Sequence, residues 1–275
     1  TMELHMRIIR FLDPEGQEHF GLDDNSEIGS TTTILIGNPY SGLEISEEIA
    51  KISKFLTPID PCNIYCIGLN YREHAAESGM DEPSLPIVFA KPTSSVCHPG
   101  DPIRLPACQH DEEVDYECEL AVVIGKTARD VSTNEALDYV LGYTCGNDVS
   151  ARKWQLNAGG GQWIRGKGFD TFCPLGPVLV TTEEINNPQT LAIKTHLNGK
   201  TVQDHTTGDM IFSVAEIISF LSQDTTLLPG TTILTGTPQG VGFARTPPIW
   251  LRPGDEVSIE LEHIGTLTNP VVAAV

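Results

Sequence analysis

Residues 114–125 read VDYECELAVVIG, and the reading of the whole chain turns on this stretch. From Leu120 onward it is a short apolar, β-branched run of the kind that forms a buried strand. Directly ahead stand Glu117 and Glu119, separated by Cys118. In an extended strand residues i and i+2 share a face, so the two carboxylates lie side by side, roughly 6 to 7 Å apart along the strand. Two anions held that close call for a cation or a shared proton. An exposed edge strand carrying two solvated acids is the competing reading, since acidic residues are mostly surface groups.

A third carboxylate, Asp148 in CGNDVSARKWQ, closes a second predicted strand, LGYTCGND, which follows a helix capped by Ser-Thr-Asn-Glu at 132–135. Three carboxylates without an imidazole partner describe a site for a hard divalent cation. Mg²⁺ or Mn²⁺ prefers oxygen ligands and keeps water-filled positions where a substrate can chelate, whereas Zn²⁺ usually recruits His or Cys.

Composition narrows the partners. The 275 residues carry a formal charge of −20, which argues against nucleic acid or an anionic membrane, because the phosphate field repels such a chain. Seven cysteines make an odd count without a regular framework, so they read as reduced thiols of an intracellular protein, cytoplasmic in preference to mitochondrial. Cys62 and Cys66 are too far apart for a CxxC motif and read as packing residues. No run approaches the roughly 18 apolar residues of a membrane span and no signal peptide opens the chain. The opening TMELH, followed by a second Met at position 6, looks like a remnant of expression.

Residues 6–58 are expected to form a small N-terminal α+β module: strands at RIIRFL and TTILI, then a helix over SEEIAKISKFL with Ile45, Ile49, Ile52 and Phe55 at helical spacing. Two prolines in TPIDP, 57–61, mark a linker. Residues 59–275 then form one catalytic domain of short strands punctuated by Gly and Pro, as in GPVLVT, TTILTG and DEVSIEL, with helices near 71–78, 133–140, 149–156 and 213–222. Strands without βα alternation point to a mainly β, α+β architecture, a sandwich or roll.

Several residues can do chemistry. His74 and Glu77 in GLNYREHAAESGM fall three apart, on one face of a short helix, where a carboxylate can orient an imidazole as a general base. An ordinary surface pair has the same spacing. SGMDEPS follows, small and polar enough for a hinge or lid. Arg152 and Gln155 lie along one helical stripe leading away from Asp148 and can hold a substrate carboxylate or carbonyl. With Arg165 and Lys167 they make a basic group in an acidic chain, suited to an anionic substrate or, equally, to salt bridges with the surplus acids. Gly161 to Lys167 nearly spells a phosphate loop, but Gly168 follows where Ser or Thr is needed and no buried strand precedes it. In LTGTPQGVG, 234–242, backbone amides and the Thr237 hydroxyl can cradle a carboxylate or enolate oxygen; a tight turn uses the same residues.

In order along the chain, GLNYREHAAE, VFAKPTSSV, DYECELAVVIG, NDVSARKWQ, GKGFDTFCPLGP, ILTGTPQGVG and LRPGDEV resemble the fumarylacetoacetate hydrolase superfamily over nearly all of 60–275, and within it the domain-containing protein 2 type. The resemblance implies a mixed β-sandwich roll, a homodimer, a metal on Glu117, Glu119 and Asp148, and a water-activating dyad of His74 and Glu77. It also implies substrate or oxyanion contacts from Arg152, Gln155, Lys167 and Thr237. Lys153 departs from the pattern, since most members carry Asp there. The fourth aspartate ligand of true fumarylacetoacetases is Ile67 here, which argues against fumarylacetoacetate as the substrate.

Mg²⁺-dependent hydrolytic C–C cleavage of an acylpyruvate or related 2,4-dioxo acid is the first functional expectation. Enol–keto tautomerisation of oxaloacetate or another 2-oxo acid, dienoic acid isomerisation, or decarboxylation uses the same constellation, because an enolate can be reprotonated without cleavage. A catalytically silent protein that binds a 2-oxo acid or metal is the third.

Overall fold

The computed structural model describes residues 6–108 and 112–274; the expected expression remnant at 1–5 lies outside the described residues. Five strands open the chain: β1 (Arg7–Leu12), β2 (Glu18–Leu22), β3 (Thr31–Asn38), β4 (Gly42–Lys51) and β5 (Lys54–Leu56). The next stretch runs β6 (Asn63–Gly68), α1 (Arg72–Glu77), β7 (Ile87–Lys91), β8 (Val96–Cys97), β9 (Ile103–Arg104), β10 (Val114–Asp115), β11 (Cys118–Ile124), β12 (Val140–Asn147) and β13 (Ser150–Ala151). Two short helices follow, α2 (Arg152–Leu156) and α3 (Trp163–Lys167), then β14 (Cys173–Thr181), β15 (Ala192–Leu197), β16 (Lys200–Thr206), α4 (Val214–Ser222), β17 (Thr231–Leu234), β18 (Glu256–Leu261) and β19 (Gly265–Val272).

The architecture is mainly β with short helices, as the sequence predicts. A large sheet runs β4-β3-β2-β1-β14-β12-β11-β17-β6-β7, and a five-stranded sheet runs β16-β15-β18-β19-β9. β11 lies inside the large sheet and all seven of its residues are buried, which accounts for its continuous apolar sequence. The main core joins β11 and β12 residues such as Leu120, Val122 and Tyr143 to Ile193, Ile259 and Leu267 of the second sheet. Of the helices, α4 is the best built: Ser213 and Glu216 form a reciprocal capping box at its start.

Two expected helices are absent. The segment 46–56 is strand: β4 pairs antiparallel with β3, and β5 pairs with β1. Ile45 and Ile49 are four apart, an even spacing that suits a strand face as well as a helix, and the partner strand across the NPYSG turn decides between them. The two isoleucines are 55% and 69% exposed, so they face solvent and not a helix-packing core. Around 133–140 the chain forms a single 3₁₀ turn, Ala136–Tyr139. β1 also pairs with β14, so the N-terminal strands extend the large sheet.

Candidate active site

Antiparallel pairing of β11 with β12 builds the site. Cys118 pairs with Asn147 and Glu119 with Gly146, and the Asp148 N–H continues the ladder by donating to the Glu117 carbonyl at 3.0 Å. Glu117 therefore stands at the mouth of β11, opposite Asp148, with Glu119 one side-chain repeat further in. Carboxylate oxygens of Glu117, Glu119 and Asp148 all lie within 4.8 Å of one another, and all three residues are buried.

Three cations surround them. Lys167 Nζ donates to Glu117 at 2.7 Å, to Asp148 at 2.6 Å and to Ser150 Oγ at 2.7 Å. Lys91 Nζ donates to the other Asp148 oxygen and, at 3.2 Å, to the Val149 carbonyl. Arg152 reaches Glu117 Oε1 at 2.7 Å and Gln155 at 3.0 Å while holding Asp115 through Nε and Nη2 at 3.0 and 2.7 Å. Desolvation would raise the Glu117 carboxyl, but Lys167 and Arg152 outweigh it and hold the group well below the usual carboxylate range. Glu119 has no ion pair among the described residues; it accepts the Gly236 N–H at 2.6 Å. Burial, then Asp148 and Glu117, push its carboxyl well above the usual range.

That uncompensated carboxylate is what makes the cluster fit a divalent cation. All donors are hard oxygens, and a carboxylate offers about four lone-pair sites, so those used by Lys91, Lys167 and Arg152 leave others for a metal. If all are ionised, Asp115, Glu117, Glu119 and Asp148 against Lys91, Arg152 and Lys167 leave one negative charge, which a dication would turn into one positive.

His74 is buried on α1, its Nδ1 3.3 Å from Glu77 Oε2. Both Glu77 oxygens also accept the Gly240 N–H at 3.1 Å, tying α1 to the loop after β17. Burial raises Glu77, but the bonds from His74 and Gly240 prevail and lower it. In the same loop Gly236 has φ of +98°, and a Cβ there would stand 2.7 Å from Asn70 Cβ, so glycine is required where the backbone turns its amide to Glu119. Gly166 lets α3 lie against α2, since a Cβ would meet Gln155 N at 2.6 Å.

Of the residues singled out in the sequence as catalytic, substrate-contacting or metal-binding, all but Glu77 and Arg165 line one cavity of about 140 Å³. Glu77 backs His74. Arg165 is outside it: its guanidinium lies over the rings of Phe169 at 4.4 Å and Trp154 at 5.2 Å. Arg152 spends most of its donors on protein groups, so it braces Glu117 and Gln155 more than it opens toward a ligand. Sequence reasoning missed two residues. Lys91 is the core-phase residue of β7, sharing its buried face with Phe89, and a lone lysine at such a position was the available signal. Asp115, also buried, continues the odd-numbered acids Glu117 and Glu119 and accepts the N–H groups of Gly242 and Phe243 at 2.8 and 3.0 Å besides Arg152.

The model of the fumarylacetoacetate (FAA) hydrolase C-terminal family matches residues 63–272. A Dictyostelium discoideum protein, fumarylacetoacetate hydrolase domain-containing protein 2 homolog, is 50% identical over 256 residues, 90% of this chain and 82% of its own. The rat protein named oxaloacetate tautomerase Fahd2a, mitochondrial, is 47% identical over 291 residues, 98% of this chain and 92% of its own. Among solved structures, 2-hydroxyhepta-2,4-diene-1,7-dioate isomerase from Mycobacterium marinum superposes with a TM-score of 0.82 at 40% identity, covering 98% of each chain. The rat relative is named for a tautomerisation and the mycobacterial structure for an isomerisation, whereas the expectation put first from the sequence is C–C hydrolysis. The expected preference for cytoplasm over mitochondrion is overturned, since the rat relative is mitochondrial by name.

Proposed function

Because this chain belongs to the fumarylacetoacetate hydrolase family, we propose that it is an enol–keto tautomerase of oxaloacetate or a closely similar small 2-oxo acid, assisted by a divalent cation. The carrying observation is a buried triad of carboxylates beside a His–Glu pair, in a chain 47% identical over 98% of its length to a protein named for that activity.

The reaction relocates one proton. The C2 enol hydroxyl loses its hydrogen, the C2–O bond becomes a carbonyl, and the electron pair of the C2=C3 bond takes up a proton at C3. With Nδ1 engaged by Glu77, His74 has Nε2 left to hold that proton, and the Glu77 carboxylate stabilises the ring while it is charged. A divalent cation, Mg²⁺ or Mn²⁺, held by Glu117, Glu119 and Asp148 would supply Lewis-acid stabilisation of the negative charge developing on the C2 oxygen. Lys167, fixed by three acceptors, adds a preorganised positive charge beside it. Gln155 and Thr237 border the space for the acid's polar groups, while Phe89 and Trp163, packed edge-on at 5.3 Å, keep that side dry. A homodimer belongs to the same proposal and is tested by light scattering.

The intact His74–Glu77 pair also suits delivery of hydroxide to a distal carbonyl, so acylpyruvate cleavage is the second reading. Time-resolved NMR of the Mg²⁺-loaded protein with fresh enol-oxaloacetate and with acetylpyruvate, each beside a chelator control, separates them. Chelator-sensitive ketonisation without cleavage is expected. Release of acetate and pyruvate from acetylpyruvate would make the protein a C–C hydrolase, and CO₂ from oxaloacetate a decarboxylase.

A further inference from the structure

Gln203, on β16, belongs to none of the motifs considered above, yet it is 1% exposed and all the bonding positions of its amide are used. Its Oε1 accepts the Cys118 N–H at 3.1 Å and the Thr195 hydroxyl at 2.7 Å. Its Nε2 donates to Thr237 Oγ1 and to the Pro238 carbonyl, both at 2.9 Å. The Cys118 N–H can only donate and the Pro238 carbonyl can only accept, so the amide cannot be flipped. An exchange of oxygen and nitrogen would set two donors face to face at Cys118 and two acceptors face to face at Pro238.

This fixed polarity has a consequence for Thr237. Its hydroxyl oxygen is an acceptor for Gln203, so its single proton must point elsewhere. Cys118 Sγ is within reach, but a thiol sulfur is a weak acceptor. Thr237 also lines the cavity, where an anionic oxygen is a far stronger one. Nearby donors of the same loop are already committed, Gly236 N–H to Glu119 and Gly240 N–H to Glu77. Gln203 at the same time grips the backbone between the two glutamates, so the loop and the carboxylate strand share one clamp.

We infer that Gln203 is a positioning residue that presents Thr237 to the bound acid as a hydrogen-bond donor. The inference rests on the proposed binding of a 2-oxo acid at this site, and it concerns how the loop recognises that acid's anionic oxygen.

The test is a double-mutant cycle read by calorimetric binding of oxalate, an unreactive dicarboxylate probe for the 2-oxo acid end, to the Mg²⁺-loaded protein. In the wild-type background Thr237→Val should weaken oxalate by about 10- to 100-fold, the usual effect of losing a hydrogen bond to a charged group, while Thr237→Ser retains most of the affinity. In a Gln203→Met background Thr237→Val should cost less than about 2-fold, because the hydroxyl is no longer directed. Because Gln203 also holds the Cys118 amide between two of the carboxylates, Mg²⁺ affinity is measured in each background and oxalate losses are compared at saturating Mg²⁺. Equal losses from Thr237→Val in both backgrounds would overturn the assignment. If Gln203→Met does not fold, Gln203→Asn replaces it: its amide is one methylene too short to span Cys118 and Thr237 together, and Thr237→Val should again be nearly silent. Oxalate binding needs no turnover, so a wild type that fails to ketonise enol-oxaloacetate removes the proposed activity and leaves the coupling readable. Additive losses in an active enzyme remove the Gln203 role alone, and a wild type that binds Mg²⁺ but no oxalate overturns both.

Discussion

Glu119→Gln should make the metal-free protein more stable. The oxygens of Glu117, Glu119 and Asp148 stand within 4.8 Å of one another, and at an effective dielectric of about 20 each like-charged pair at that distance costs about 3.5 kcal/mol. Lys167 and Arg152 offset Glu117, and Lys91 and Lys167 offset Asp148, whereas Glu119 has only the Gly236 amide. After the attraction of nearby Lys167 is allowed for, ionised Glu119 costs a net amount on the order of 2 kcal/mol or more. Glutamine keeps the acceptor for Gly236 and adds an amide donor for the remaining carboxylates. In excess chelator at pH 8 its Tm should therefore rise by about 4 to 8 °C. Because the folded-state carboxyl lies above its unfolded value of about 4.3, the native protein holds a proton that the unfolded chain has released. Wild-type stability is then lost as pH rises from that value toward the folded one, and the variant's advantage vanishes below about pH 4.3. Mg²⁺ should raise the Tm of the wild type and leave that of the variant almost unmoved. Thermal unfolding at pH 5 and 8, with chelator and with Mg²⁺, reads all of this. A Glu119→Gln protein less stable than wild type at pH 8 in chelator would refute the charge balance assigned to the site.

Other substitutions probe the remaining groups. Lys91→Met leaves Asp148 short of one buried partner and should destabilise the metal-free protein by about 3–5 kcal/mol in urea titrations, against at most about 1 kcal/mol for Lys54→Met at the half-exposed Lys54–Asp101 pair. Equal effects would show that Lys91 is not holding a buried charge. His74→Ala should keep Mg²⁺ affinity in calorimetry and lose ketonisation by about 10²- to 10⁴-fold; undiminished turnover removes His74 from proton transfer. Mg²⁺ must compete with the proton on the raised Glu119 carboxyl, so its affinity should climb with pH above the ordinary carboxylate range, and an affinity that is flat with pH there would contradict the raised carboxyl.

Much of the site was legible because its chemistry follows local periods. Glu117 and Glu119 obey the two-residue repeat of a strand, His74 and Glu77 and likewise Arg152 and Gln155 the three-residue spacing of a helix face, and each pair is where that period puts it. The same logic misread 46–56, because Ile45 and Ile49 satisfy both periods and only pairing with β3 chooses between them.

The mainly β character, the family to which the chain belongs and the carboxylates that can hold a metal were all readable from residue type and short-range spacing. What compensates those carboxylates, and what aims the groups around them, comes from contacts between distant strands. Lys91 reaches Asp148 across 57 residues, Gly236 reaches Glu119 across 117, and Gln203 reaches Cys118 across 85. Such meetings depend on strand order and register, which arise from burying both sheets against one core, and no local period encodes which distant strand will lie alongside.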